Sequence, residues 1–397
     1  MNTGGLSKSR LSRMHDTMAG HVERGDVPGL VTLIARRGEV HIDAIGSMAE
    51  GGAPMQRDTI FRIASMTKPI TAVAAMILVE ECRLRLDEPV DEWLPELANR
   101  RVLRAVDGPL DDTVPAGRPI TLRDLLTFRL GLGAIMVFPE RYPIQIAMSD
   151  AGVAPGPISP SVAPDEFLNR FGGLPLAYQP GAEWMYHSGS DILGVLIARA
   201  SGITLGDFLR ERIFDPLGMK DTAFFVPEAK IDRLPACYSM NRQTGCLEIF
   251  DEARGGRYSK PPVFEAGGSG LVSTAEDYYA FSRMMLNMGK HGASRILSRP
   301  FVHLMTTDQL TPAQKENAKI FFGDSSGWGF GMSVTTRRDG PWSPGRFGWD
   351  GGYGTSAHSD RQEDLTGILL TQRLMDSPQP PKVFSDFWTC AYAAIDD

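Results

Sequence analysis

Strand-like sequence stands at the two ends of this 397-residue chain and is nearly absent between them. Leu30-Val31-Thr32-Leu33-Ile34-Ala35 is apolar and β-branched, which suits a buried strand. After the turn Arg37-Gly38-Glu39, Val40 to Gly46 alternates like its hairpin partner. A short strand is expected at Ile60-Phe61-Arg62-Ile63. In the last third, Trp328 to Thr335, Arg346 to Trp349, Ser356 to Ser359 and Leu365 to Thr371 are predicted strands. The stretch between reads as mostly helical, with no strand runs before about Ala236. Thr121 caps one predicted helix, Ser190 to Ala200 forms another closed by Gly202, and Leu205 to Ile213 a third. Residues 150–164, rich in Pro, Gly and Ser, read as loop. Helices are also expected at about Leu6 to Arg24, from Ser273-Thr274-Ala275-Glu276-Asp277 through Leu286, and at Phe384 to Ala394. Strands from both termini must meet in one sheet. The expected organisation is one α/β domain from residues 1–85 and 262–397, with a mainly helical inserted domain at 86–261.

Composition narrows the function class. Hydrophobic residues are 42% and charged residues 22%, as in an ordinary globular chain able to bury a large core without metal or disulfide support. The balance of 41 basic against 48 acidic residues, net -7, argues against nucleic acid as the main partner. Cys82, Cys237, Cys246 and Cys390 are scattered without a Cys-x-x-Cys pair and read as free thiols of a reducing compartment, with a Cys237–Cys246 bridge left open. The N-terminal segment lacks the apolar core of a signal peptide, and no apolar run is long enough to span a membrane. A cytoplasmic protein is the expectation.

Three stretches carry chemistry. Ser65-Met66-Thr67-Lys68 places a serine at a helix start and a lysine three residues on, on the same face. It is the one Ser-x-x-Lys in the chain. The helix that follows, Ile70 to Val79, is apolar enough to be buried, and burial without a carboxylate partner lowers a lysine pKa and frees the amine as a base. Backbone N–H groups at the helix start suit an oxyanion. The second stretch is Pro180-Gly181-Ala182-Glu183-Trp184-Met185-Tyr186-His187-Ser188. A phenol near a lysine ammonium can share its proton, which makes Tyr186 a candidate acid–base group. His187, between Tyr186 and Ser188, is expected to point away from the site. The third stretch is Gly348-Trp349-Asp350-Gly351-Gly352-Tyr353-Gly354, whose glycines allow close approach of backbone to a ligand. Two decoys are set aside. Gly323-Asp324-Ser325-Ser326-Gly327 fits Gly-x-Ser-x-Gly but lacks the helix such an elbow needs. The seven histidines form no metal-binding spacing, so neither a metal nor another cofactor is expected.

In this order the three stretches resemble the serine β-lactamase-like superfamily, and within it the class C-like group with the family VIII carboxylesterases. Ser65-Met66-Thr67-Lys68 matches its Ser-x-x-Lys motif and Tyr186-His187-Ser188 its Tyr-x-Asn/Ser motif. Trp349-Asp350-Gly351 stands where the β-lactamases carry Lys-Thr-Gly and the esterases commonly Trp-x-Gly. Gly267 to Asp277 and Pro180-Gly181 match as well, so the resemblance runs from about residue 20 to 390. Thr127-Phe128-Arg129-Leu130-Gly131-Leu132-Gly133 departs from the His-Thr-Ser-Gly-Leu common in relatives.

The resemblance implies an α+β fold, an antiparallel sheet flanked by helices, with the active site between the two domains. It implies a carboxylesterase acting on short-chain acyl esters through a Ser65 acyl-enzyme. Lys68 and Tyr186 are the acid–base pair, their individual roles open, and the oxyanion hole is the backbone N–H of Ser65 and Gly352. Trp349, Gly351, Ile135, Phe138, Tyr142 and Ser188 are the expected substrate-binding residues. With Trp349 in place of a lysine the site favours neutral esters, and β-lactam hydrolysis remains as a weak side activity. The alternatives are a class C-like β-lactamase or D-amino-acid peptidase, and a catalytically silent penicillin-binding-like module. The expected partner is a small-molecule ester, with no nucleic acid and no membrane; a homo-oligomer is compatible with the sequence.

Overall fold

The computed structural model describes residues 4–316 and 318–397. The first three residues of the N-terminal segment, read above for its lack of a leader, lie outside the described part. The fold is an α+β arrangement built on one seven-stranded antiparallel sheet. In chain order its strands are β1 (Gly29–Arg36), β2 (Glu39–Gly46), β3 (Ser326–Trp328), β4 (Ser333–Thr335), β5 (Phe347–Gly351), β6 (Thr355–Asp360) and β7 (Leu365–Thr371). Their spatial order is β3-β4-β5-β6-β7-β1-β2, so β1 joins the two ends of the chain, with Leu30 opposite Thr371 and Arg36 opposite Leu365.

Both faces of β1 are buried, which is why it reads as a continuous apolar run rather than an alternation. Leu30 and Ile34 face one way and pack with Met14, Met18, Phe384, Phe387 and Trp388 of the two terminal helices, Lys8–Glu23 and Lys382–Ala393. Val31, Leu33 and Ala35 face the other way, against the helices Thr67–Glu80 and Ala275–Leu286 and, beyond them, the middle of the chain. The result is three layers: helices, sheet, helices.

Several boundaries differ from expectation for local reasons. The stretch Trp328–Thr335 is two strands, because Gly329 and Gly331 (φ +72°) turn the chain between β3 and β4. The middle is not free of strands before Ala236: Arg101–Leu103 pairs with Thr113–Pro115. The helices Pro143–Asp150 and Pro164–Gly173 flank the loop that was expected to occupy 150–164. Both open on a proline, which suits the first helical turn. Thr121 caps its helix as expected, in a reciprocal box with Asp124. The four cysteines are free; Cys237 is buried and Cys246 exposed, with no bridge between them. Among the described residues no single helix is long and apolar enough to cross a membrane.

One buried ion pair ties the middle of the chain to the short strand Phe61–Arg62 that leads to Ser65. Arg62, 3% exposed, meets Asp251 at 2.7 Å and donates further hydrogen bonds to the carbonyls of Pro235 and Glu252. Removing the carboxylate strands the guanidinium in the interior. Asp251→Ala is expected to lower unfolding free energy by about 3 kcal/mol in urea titrations. Asp251→Asn, which keeps an acceptor, should lose clearly less; equal losses would mean the charge plays no part.

Candidate active site

Ser65 lies in a short 3-10 turn, Ala64–Met66, that runs directly into the helix Thr67–Glu80. Ser65 is therefore one turn ahead of the regular helix, with Lys68 on its first turn. Every residue from Thr67 to Leu78 is buried, so this helix is apolar all round and carries Lys68 into the core with no exposed surface. Lys68 Nζ lies 2.9 Å from Ser65 Oγ and 2.6 Å from the Gly268 carbonyl. Burial pushes its pKa down to about 7, against an opposing pull from the Asp191 charge. A good fraction of this amine is then neutral at physiological pH.

Tyr186 comes from the segment before the helix Ser188–Ser201. Its ring lies under the Lys68 amine, 4.6 Å from Nζ to the ring centre. It is boxed by aromatic rings: Trp184 stacks at 5.6 Å, Phe321 sits at 5.0 Å, Trp349 at 5.7 Å and Phe128 at 5.8 Å. Phe128 belongs to the loop that departs from the relatives' motif, so the departure places a ring beside the tyrosine. Burial in this box raises the Tyr186 pKa well above the ordinary phenol range, although hydrogen bonds with Ser65 and Trp349 pull it back. Trp349 Nε1–H donates to Tyr186 Oη at 2.7 Å. This contact was not anticipated; Trp349 is at once cavity wall and hydrogen-bond donor.

Trp349 reaches Tyr186 because β5 runs beside the turn Ala64–Met66. Gly351 makes that approach possible: a Cβ there would sit 2.3 Å from the Ile63 carbonyl oxygen and 2.2 Å from Thr355 Oγ1. Gly352 follows at the strand end and lines the same cavity as Ser65. That cavity holds about 310 Å³. Met136, Phe138, Pro157, Phe321 and Met375 line it, drawn from the middle and the C-terminal part of the chain. Among the described residues no lysine or arginine lines it.

Not every expected contact is made. Phe138 lines the cavity, but Ile135 and Tyr142 turn inward and pack against the main core. Tyr142 also begins the helix Pro143–Asp150, its N–H held by Gln145 Oε1. Ser188 is buried at the helix start and is not among the cavity residues, and Gly351 lies behind the wall rather than in it. Ser325 is bonded to Asp339 and leads into β3, not into a helix.

His187 points into the site, contrary to expectation. Its backbone has φ +84° and ψ −64°, and Ser188 N–H bonds back to the Tyr186 carbonyl at 3.3 Å. This is a γ-turn, a strained conformation that sends the side chain inward instead of outward. His187 Nδ1 lies 3.2 Å from Lys68 Nζ and Nε2 lies 3.1 Å from Asp191 Oδ2. Asp191 in turn accepts the Gly268 N–H at 2.8 Å. Gly268 has no room for a side chain, since a Cβ would stand 2.9 Å from Asp191 Oδ1 and 3.1 Å from His187 Nε2. Burial and the Lys68 charge lower the His187 pKa. Burial alone would raise Asp191, but His187, Lys68 and the Gly268 N–H hold it below the usual carboxylate range. The spacing of His187 and Asp191, four apart at a helix start, was a signal available in the sequence.

Comparison with known proteins places the chain in a family. The Beta-lactamase family model matches residues 14–382. An uncharacterized protein of Mycobacterium tuberculosis is 37% identical over 364 residues, covering 89% of this chain and 88% of that protein. Esterase EstB of Burkholderia gladioli is 29% identical over 374 residues, covering 89% of this chain and 88% of the esterase. The solved structure of EstCE1, described as a hydrolase with promiscuous acyltransferase activity, superposes with a TM-score of 0.82 at 25% identity, covering 97% of this chain and 99% of that one. The chain belongs to the Beta-lactamase family, as a serine hydrolase of the class C-like kind that includes the family VIII carboxylesterases.

Proposed function

We propose that the protein is a carboxylesterase that hydrolyses neutral, short-chain acyl esters through a Ser65 acyl-enzyme. The observation that carries this reading is a serine 2.9 Å from a fully buried lysine, at the wall of an apolar cavity that has no lysine or arginine in its lining. A site that recognised a substrate carboxylate would need a cation where Trp349 stands. The division of labour follows from the opposite pKa shifts. Lys68, lowered to about 7, is the base that takes the Ser65 proton as Oγ attacks the ester carbonyl. Tyr186, shifted upward, is the acid. It protonates the departing alcohol, and the proton that Lys68 took from Ser65 restores its hydroxyl. The backbone N–H groups of Ser65 and Gly352 receive the oxyanion. Water entering where the alcohol left runs the sequence in reverse: its proton passes by Tyr186 to Lys68, Lys68 returns a proton to Ser65 Oγ as the acyl–oxygen bond breaks, and the acid leaves. The two-domain division at 86–261 is part of this proposal, with the site at the junction.

An organic alcohol can replace water in the second step. The apolar lining favours such an acceptor, and the acyltransferase activity in the description of EstCE1 supports it. β-Lactam hydrolysis is a weak side activity in this reading, because the cavity lining offers no cation for the lactam carboxylate.

The decisive assay compares nitrophenyl butyrate with a cephalosporin. The expected kcat/KM ratio favours the ester by about a hundredfold or more. A preference for the lactam would replace this reading with a β-lactamase. Ser65→Ala should abolish ester turnover and Ser325→Ala should leave it intact; the opposite pattern would move the nucleophile.

Below its pKa Lys68 is an ammonium and cannot accept a proton. The pH profile of kcat/KM should therefore climb with pH and level off, with a midpoint near 7. A midpoint near 4 or 10 would contradict Lys68 as the base.

Trp349→Phe keeps a ring and removes the donor to Tyr186 Oη. The expected result is a kcat lower by about tenfold, the worth of one buried hydrogen bond, with KM changed by less than about threefold. An unchanged kcat would reduce Trp349 to wall material.

A further inference from the structure

The structure contains a buried His187–Asp191 pair that the proton transfers above do not use. We infer that His187, held in one tautomer by Asp191, aims the lone pair of Lys68 at Ser65; both are positioning residues for the nucleophile. This rests on the reading of Lys68 as the base.

The argument is a count of hydrogens. A neutral amine has two N–H bonds and one lone pair. Lys68 Nζ has three polar neighbours: the Gly268 carbonyl at 2.6 Å, Ser65 Oγ at 2.9 Å and His187 Nδ1 at 3.2 Å. The fourth side is the Tyr186 ring face, 4.6 Å away, which accepts no proton. A carbonyl oxygen only accepts, so one N–H goes to Gly268. The second N–H must go to His187 or to Ser65. If it goes to His187, the lone pair faces Ser65 and can take the hydroxyl proton. If it goes to Ser65, Lys68 is turned the wrong way for catalysis.

Which case holds depends on the tautomer of His187. Asp191 decides it. Its Oδ2 lies 3.1 Å from His187 Nε2 and its Oδ1 accepts the Gly268 N–H at 2.8 Å. An ionised carboxylate only accepts, so Nε2 carries the hydrogen and Nδ1 is a bare acceptor facing Lys68. Gly268 closes the circuit, since its N–H holds Asp191 and its carbonyl holds Lys68. The strained γ-turn at His187 is consistent with a residue kept inward for function. His187 is 4% and Asp191 4% exposed, so water does not substitute for either partner.

Asp191→Asn is the sharp test because it preserves shape. The Gly268 N–H requires the amide oxygen, which leaves the amide NH2 facing His187 Nε2. The imidazole must then accept at Nε2 and carry its hydrogen on Nδ1, pointed at Lys68. Two donors would face each other and the lone pair would turn from Ser65 to His187. A fluorophosphonate probe reads Ser65 nucleophilicity directly, and nitrophenyl butyrate gives kcat and KM. Asp191→Asn and His187→Leu are each expected to slow probe labelling and kcat by at least about tenfold, with KM within about threefold. His187→Asn puts its amide oxygen near the place of Nδ1 and should recover most of the loss, although it cannot carry a proton.

Wild-type labelling by Asp191→Asn overturns the inference. So does a folded His187→Asn as slow as His187→Leu, which would make His187 a proton carrier or a packing residue. Thermal melts identify any variant that fails to fold; should Asp191→Asn be one, the His187 pair decides. Lys68→Ala separates the levels. If it labels like wild type, the base assignment fails and this inference with it; if it is slow while Asp191→Asn is fast, only the inference fails.

Discussion

The site depends on one constraint: the Lys68 amine is wholly inside the protein. The helix Thr67–Glu80 is apolar on every side, so packing it between the sheet and the middle of the chain carries the lysine in as well. Desolvation then does what no neighbouring cation is needed for, lowering the pKa to about 7. Such burial is costly unless both N–H groups and the lone pair find hydrogen-bonding partners. The Gly268 carbonyl, Ser65 Oγ and His187 Nδ1 supply three, and they come from three separate parts of the chain. The close glycine at 268 and the inward turn at His187 are structural consequences of holding one amine in place.

A second constraint acts on Tyr186. Its aromatic surroundings push its proton affinity up while those of Lys68 push affinity down. In the proposed reading, two groups on either side of Ser65 shifted in opposite directions separate the acid from the base. In the same proposed reading, Trp349 links this chemistry to substrate choice. The indole ring gives the cavity an apolar wall, and its N–H reaches the tyrosine hydroxyl. A lysine at the same place would give a substrate carboxylate a partner but remove the ring from the aromatic box.

Much of the architecture was legible in the chain. The strands β1 and β7 and the long helices were visible because their apolar runs are long and bounded by Gly, Pro or capping residues, and β2 because it alternates after a turn. Short elements were not: the pair Arg101–Leu103 with Thr113–Pro115 has three residues a strand, too few for any period to emerge. The split between β3 and β4 was hidden because glycines inside an apolar run fit a bulge as well as a turn. Ile135 and Tyr142 show the limit for pocket residues. An apolar side chain beside a site satisfies its chemistry equally well in the core or in the cavity wall, and only packing separates the two.

By itself the sequence determined the local chemistry: a serine and a lysine one helical turn apart, a tyrosine ahead of a helix, and a tryptophan among glycines. These are properties of spacing and residue type, and spacing survives folding. The tertiary structure alone decided which groups face each other. Trp349 meets Tyr186 across 163 positions of chain, and Lys68 meets His187 across 119. Neither contact has a local signature, because a hydrogen bond between distant segments depends on how the sheet and helices dock. The backbone angle at His187 is of the same kind. A histidine left to local preference would face outward; the interior acceptors and donors around it are what turn it in.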